Sequence, residues 1–229
     1  MKKEPRLYDL PPGKLYGGRT DLVAEVDDIL WVLDWKTGKK PKDALGYAEW
    51  PLQTAAYRAG ILDARRNGVI HLDKATGLPT VYDYSNTFQK DLYAFNDLVR
   101  FWRNRYADKL NGTNGPSVTT VTGILEKPAL VAWAANSACD YILMNLPKAN
   151  LQTGDILSLI EKARKEYRSI SREAMDLGTA VHACIEQWLR TRVEPKIEDD
   201  RVLAGFLAFL EWFDDHKVKV IEIEKVIYG

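Results

Sequence analysis

Two strand-like runs meet at Asp27-Asp28, and their register constrains the chain more than any other feature. Residues 20–26 (Thr-Asp-Leu-Val-Ala-Glu-Val) and 29–35 (Ile-Leu-Trp-Val-Leu-Asp-Trp) are rich in β-branched and aromatic residues. The two aspartates between them have the length of a two-residue hairpin turn, although Asn-Gly or Asp-Gly is a stronger signal. A slip of one residue would turn every side chain to the opposite face, so the turn decides which residues meet. Val26 then opposes Ile29, and Asp21 opposes Asp34.

Opposed residues carry Cβ atoms roughly 5 Å apart on one face of a sheet. Lys36, two residues past Asp34, points to that face as well. Two carboxylates this close repel unless a cation lies between them. A hard divalent ion with oxygen ligands meets that need, and magnesium keeps water on its open positions. Such an ion lowers the pKa of a bound water and offsets charge developing on a phosphate. Lys36 would orient or deprotonate that water, or stabilise the transition state. The plainer alternative is a solvated hairpin with ordinary surface charges.

Farther along, Pro51 suits the first turn of a helix, on which Gln53 and Tyr57 are neighbours at i, i+4. They are either polar equipment beside the carboxylates or a helix flank with a half-buried tyrosine. Ser171 is expected to cap a helix whose apolar stripe is Met175, Leu177, Val181, Ile185 and Leu189. Gly178, His182 and Glu186 form a separate row on that helix. His182 is a metal-ligand candidate, with Glu186 as its partner or as an extra ligand; a structural histidine is the alternative. Residues 69–72 and 80–84 read as a second hairpin. Helices are expected over 88–106, 128–144 and 202–213, with a turn at 120–124. The alternating run 218–229 reads as a strand that needs a partner, and residues 15–18 are the expected one.

A chain of 229 residues fits one domain. No run of about 18 apolar residues is present, so no membrane span is expected, and residues 1–6 lack the apolar stretch of a signal peptide. A cytoplasmic location is the default. Two cysteines, Cys139 and Cys184, cannot hold a four-cysteine iron–sulfur cluster, and buried free thiols are expected. Thirty-two basic and 32 acidic residues balance, which counts mildly against a nucleic-acid partner. Local groups remain: Lys36, Lys39, Lys40 and Lys42 after the hairpin, and Lys162, Arg164, Lys165, Arg168 and Arg172 ahead of the histidine. Each is either a phosphate contact or a solvated face. Tyr47, Trp50 and Tyr167 are candidates for stacking on bases, with core packing the alternative for Trp50.

Thr20-Asp21, Asp34-Trp35-Lys36, Gln53 to Tyr57, Gly178 to His182 and Glu224-Lys225 together resemble the PD-(D/E)XK nuclease superfamily, in its RecB-like exonuclease branch. The resemblance covers residues 14–110 and 117–229. It implies a single-domain α/β/α sandwich around a central mixed β-sheet, a restriction-endonuclease-like core. It implies Mg2+ or Mn2+ held by His182, Asp21, Asp34 and the Trp35 carbonyl, with Glu186 and Glu224 as accessory acids. Lys36 would assist, Gln53 and Tyr57 would position the strand, and Arg19, Lys39, Lys40, Arg168 and Arg172 would contact DNA. Iron–sulfur clusters occur in some relatives and are not expected here.

In the resembled family the histidine helix comes first, then the Glu-Lys strand, then the aspartate hairpin. Here the hairpin half (1–110) leads and the histidine half (117–229) follows, so the order reads as a circular permutation joined at 109–116, a Gly/Asn-rich linker. The implied activity is metal-dependent exonucleolytic hydrolysis of DNA in recombination, repair or phage DNA processing. Alternatives are a non-catalytic nucleic-acid-binding module on the same fold and a structure- or site-specific endonuclease. A homo-oligomer or a recombination partner is left open.

Overall fold

The computed structural model describes residues 7–38, 41, 43–74, 76–110, 114–125, 128–146 and 153–229. Lys39, Lys40 and Lys42, and positions 111–113 of the expected linker, lie outside the described residues. In chain order the strands and helices are β1 (Leu7–Asp9), β2 (Gly17–Val26), β3 (Ile29–Gly38), α1 (Glu49–Ala59), β4 (Arg66–Asp73), β5 (Pro79–Asp83), α2 (Phe88–Arg105), β6 (Asn114–Pro116), α3 (Val118–Thr122), α4 (Pro128–Asn145), α5 (Thr153–Thr191), α6 (Asp200–Asp215) and β7 (Val218–Tyr228). The chain divides into two compact units, Met1–Leu125 with Ala180–Gly229, and Glu126–Thr179.

The first unit is built on a five-stranded mixed sheet in the order β5-β4-β3-β2-β7. The β2–β3 hairpin has the expected register, with Val26 opposite Ile29 and Leu22 opposite Leu33. Asp27 and Asp28 both take positive φ, 50° and 65°. Those angles match a type I′ turn, whose twist suits the flanking strands. β4 runs parallel to β3, and β5 returns antiparallel to β4. β7 pairs antiparallel with β2 from Val26↔Val218 to Gly17↔Tyr228, with an irregularity between Val23 and Ala24. The expected partner, residues 15–18, thus meets only the end of the last strand, and the rest of β7 pairs along β2. Leu15 N–H donates to the Gly229 carbonyl at 2.6 Å, and Gly229 N–H donates to the Tyr16 carbonyl at 3.2 Å.

Helices cover both faces of this sheet. On one face Tyr16, Val32, Ala56, Tyr57, Phe95, Val99, Val118, Val121 and Ile227 form a buried cluster, which joins α1, α2 and α3 to the strands. On the other face Trp35 meets Phe209 and Trp212 of α6 edge-on, at 5.3 and 5.5 Å between ring centres. Trp188, near the end of α5, packs edge-on against Phe209 at 5.6 Å. Edge-to-face pairs of this kind contribute about 0.5–1.5 kcal/mol each beyond burial. The alternation of side chains along β3 thus sends Asp34 and Lys36 one way and Trp35 the other. The mixed sheet with flanking helices is the expected α/β class.

The second unit contains α4 and the first part of α5, with Leu159 and Ala163 buried. Several sequence expectations are corrected. Ser171 caps nothing, because α5 already begins at Thr153; the segment ahead of Ser171 holds neither proline nor glycine after Gly154 to stop a helix. Met175 is exposed, while Leu177, Val181, Ile185 and Leu189 are buried. The described end of the 109–116 stretch is not a free linker, since Asn114–Pro116 pairs with Leu7–Asp9. Cys139 is exposed and Cys184 only partly buried, so the thiols are not both core residues. Trp50 belongs to the core. No described helix is long and apolar enough to cross a membrane.

Candidate active site

The β2–β3 ladder ends at Leu22↔Leu33, and side chains take over its work there. Thr20 Oγ1 donates to the Leu33 carbonyl at 2.9 Å. The Asp21 carboxylate accepts from Trp35 N–H at 2.7 Å. Gly18 lets the start of β2 lie tight against its neighbours: a Cβ there would stand 2.8 Å from Tyr57 Cε1 and from Val118 Cγ2.

Asp34 is almost wholly buried, its side chain 4% exposed, and Lys36 Nζ stands 2.5 Å from its Oδ2. That contact is a close ion pair, and Oδ2 accepts no hydrogen bond from any other described residue. The other oxygen, Oδ1, accepts weakly from Gln53 Nε2 at 3.4 Å. The same Nε2 donates to Tyr57 Oη at 2.9 Å. The i, i+4 pair on α1 therefore reaches the carboxylate through Gln53, with Tyr57 fully packed beneath it.

His182 arrives from α5 and puts Nδ1 3.7 Å from Asp21 Oδ2. Val181 beside it packs on Gly205 of α6, where a Cβ would come within 2.9 Å of the valine. That close approach seats the helix. Burial lowers the His182 pKa, against the raising influence of Asp34 and a backbone hydrogen bond to Trp35. The imidazole is thereby kept neutral, the form that binds metals.

The charge balance is tight. Burial first, then the Asp34 charge, pushes the Asp21 carboxyl well above its ordinary range, while Lys36 and the Trp35 N–H act to lower it. Burial acts to lower the Lys36 ammonium, but Asp34 and Asp21 outweigh it and hold the group above its usual value. Burial also raises Glu224, partly offset by Arg19.

Among the described residues, no group of three or more His, Cys, Asp and Glu converges closely enough to chelate an ion as the side chains stand. The donors still suit a hard divalent cation. They are two carboxylates and a neutral imidazole; Asp34 Oδ2 is buried with Lys36 as its one close partner, and 3.7 Å separates Asp21 from His182. Two ligands about 2.1 Å from one ion lie roughly 3 to 4.2 Å apart, which spans that distance.

Of the other expected residues, Glu224 and Arg19 form an ion pair of 2.7 Å, and Glu186 pairs with Arg190 at 2.8 Å. Arg168 and Arg172 are exposed on the stretch of α5 that belongs to the second unit. Two residues were not anticipated. Glu49, in the first turn of α1, acts electrostatically on Lys36. Arg190 acts on Glu224; its i, i+4 spacing from Glu186 was the available signal.

No curated protein and no solved structure matches this chain. The family model of the PD-(D/E)XK nuclease superfamily, whose members are generally nucleases that use divalent metals, does match it, over residues 14–114 that carry Asp21, Asp34, Lys36, Gln53 and Tyr57.

Proposed function

We propose that this chain is a divalent-metal-dependent DNA nuclease of the RecB-like branch, acting as an exonuclease in recombination, repair or phage DNA processing. The observation that carries the reading is the meeting of Asp21, the buried Asp34, Lys36 and a neutral His182 at the end of one hairpin. His182, Asp21, Asp34 and the Trp35 carbonyl would hold Mg2+ or Mn2+. The bound cation supplies charge for the phosphate and lowers the pKa of water at the site. Lys36, kept protonated by its two carboxylates, donates to the phosphoryl oxygens as negative charge builds on them. Gln53 fixes one edge of Asp34, and with Tyr57 it orients the strand. His182 stays neutral because the site is buried.

We also read the element order as a circular permutation of the resembled family's. Supporting this, β7 pairs directly with β2, and Gly229 is hydrogen-bonded to Leu15 and Tyr16. A hairpin connection there would restore the family's order.

The test is degradation of end-labelled linear DNA by the wild type and Lys36→Ala, with magnesium, with manganese and with a chelator. Covalently closed circular DNA serves as the control. Metal-dependent loss of label from linear DNA alone, abolished in Lys36→Ala, is the expected result. Cutting of the circle would make the protein an endonuclease. DNA binding without cleavage in either metal would overturn the catalytic reading and leave a binding module.

A further inference from the structure

Glu224 lies inside a strand yet has φ of 55°. The flanking pairs Thr20↔Lys225 and Leu22↔Ile223 set it across from Asp21, and that pair is itself missing from the ladder. A bulky L residue takes this conformation only where its surroundings impose it. The contact that accompanies it is with Arg19, whose Nε stands 2.7 Å from Glu224 Oε2. Arg19 is two residues before Asp21 and so projects on the same side of β2. Its side chain remains 55% exposed, whereas that of Glu224 is 22% exposed. On α5, Glu186 holds Arg190, whose side chain is 52% exposed. Both members of that pair act electrostatically on Glu224.

We infer that Arg19, aimed by Glu224, forms a phosphate subsite for the nucleic-acid strand next to the scissile phosphate. The inference rests on the nuclease reading of the same site. A guanidinium offers five donors in a planar fork that matches phosphate oxygens. The Glu224 contact engages Arg19 at Nε, at the base of that fork. A guanidinium already fixed by a carboxylate loses less freedom when an anion docks. On this reading Glu224, its Oε2 paired with Arg19 Nε, is a positioning residue and not a metal ligand.

The experiment measures binding of a fluorescein-labelled oligonucleotide in calcium by anisotropy over a salt series. It also measures the rise in melting temperature on adding manganese. Arg19→Ala is expected to weaken binding about tenfold and to lower the salt slope by about one. Glu224→Gln is expected to weaken binding severalfold while keeping the slope, because the arginine charge remains. Glu224→Gly is expected to fold at least as well as the wild type, because glycine accepts the positive φ, yet to bind as weakly as Glu224→Gln. All three should keep the manganese-induced rise, and their loss of cleavage should fall on KM more than kcat. Loss of the manganese effect in Glu224→Gln would make Glu224 a ligand and overturn the proposal, as would unchanged DNA affinity in Arg19→Ala. The binding measurements need no cleavage. A wild type that binds but does not cut would overturn the nuclease reading, while the subsite would still be judged on affinity.

Discussion

Replacing Asp21 by asparagine should stabilise the protein when no divalent metal is present. The amide side chain keeps an oxygen that can accept from Trp35 N–H, the 2.7 Å bond that ends the hairpin, but the change removes a charge from a side chain that is only 14% exposed. Two carboxylates about 5 Å apart repel by roughly 3 kcal/mol at an effective dielectric constant near 20. Lys36 cancels part of this, leaving an expected gain of about 1–2 kcal/mol. For a protein of this length each kcal/mol moves the melting temperature by about 2–4 °C. The pH dependence has a definite sign. The folded state holds a proton on Asp21 at pH values where the unfolded chain has lost it, because its pKa is raised. Wild-type stability therefore falls as pH rises from about 4 upward through the folded value. The variant lacks that decline, so the two should converge at acid pH and separate toward neutrality. Thermal unfolding in chelator, from pH 4 to 8, checks this. Manganese at a hundredfold its Kd should add about 2.7 kcal/mol to the wild type and much less to the variant. An asparagine variant less stable than the wild type at pH 7, or one that tracks it at every pH, would refute the electrostatic account.

Gly18→Ala should cost about 1–3 kcal/mol and reduce cleavage, since its Cβ would sit 2.8 Å from Tyr57 and Val118; chemical denaturation and the end-label assay measure both. Asp28→Gly should raise stability by about 1 kcal/mol, because Asp28 is held at a φ of 65° in the turn, and activity should be unchanged. Asp199 caps α6 by accepting from Arg201 N–H. Its carboxyl is lowered to about 2 by the Arg201 side chain and backbone, so its contribution is present above about pH 4 and lost as pH falls toward 2. Asp199→Ala should melt lower than the wild type at pH 6, with the difference closing at pH 2.

The hairpin was legible because its information is local. An alternating run, a two-residue turn and a second run decide register by which faces are apolar, and Asp21, Asp34 and Lys36 follow from that register alone. The Gln53–Tyr57 pair was legible for the same reason, through helical period. The start of α5 was misplaced because serine is a good cap only where the preceding residues are not helical, and the residues before Ser171 are. The pairing of Asn114–Pro116 with Leu7–Asp9 is non-local and leaves no mark in composition.

What the sequence by itself determined is therefore the pieces: strands, helices and the face on which each polar group lies, all set by steric and hydrophobic preferences within a few residues. Only the tertiary structure decided that His182 comes within 3.7 Å of Asp21 and that Glu224, at a positive φ inside its strand, meets Arg19. Those meetings depend on how α5 seats on Gly205 and how β7 pairs along β2. Close packing and sheet register between distant segments set them, and no local periodicity encodes either.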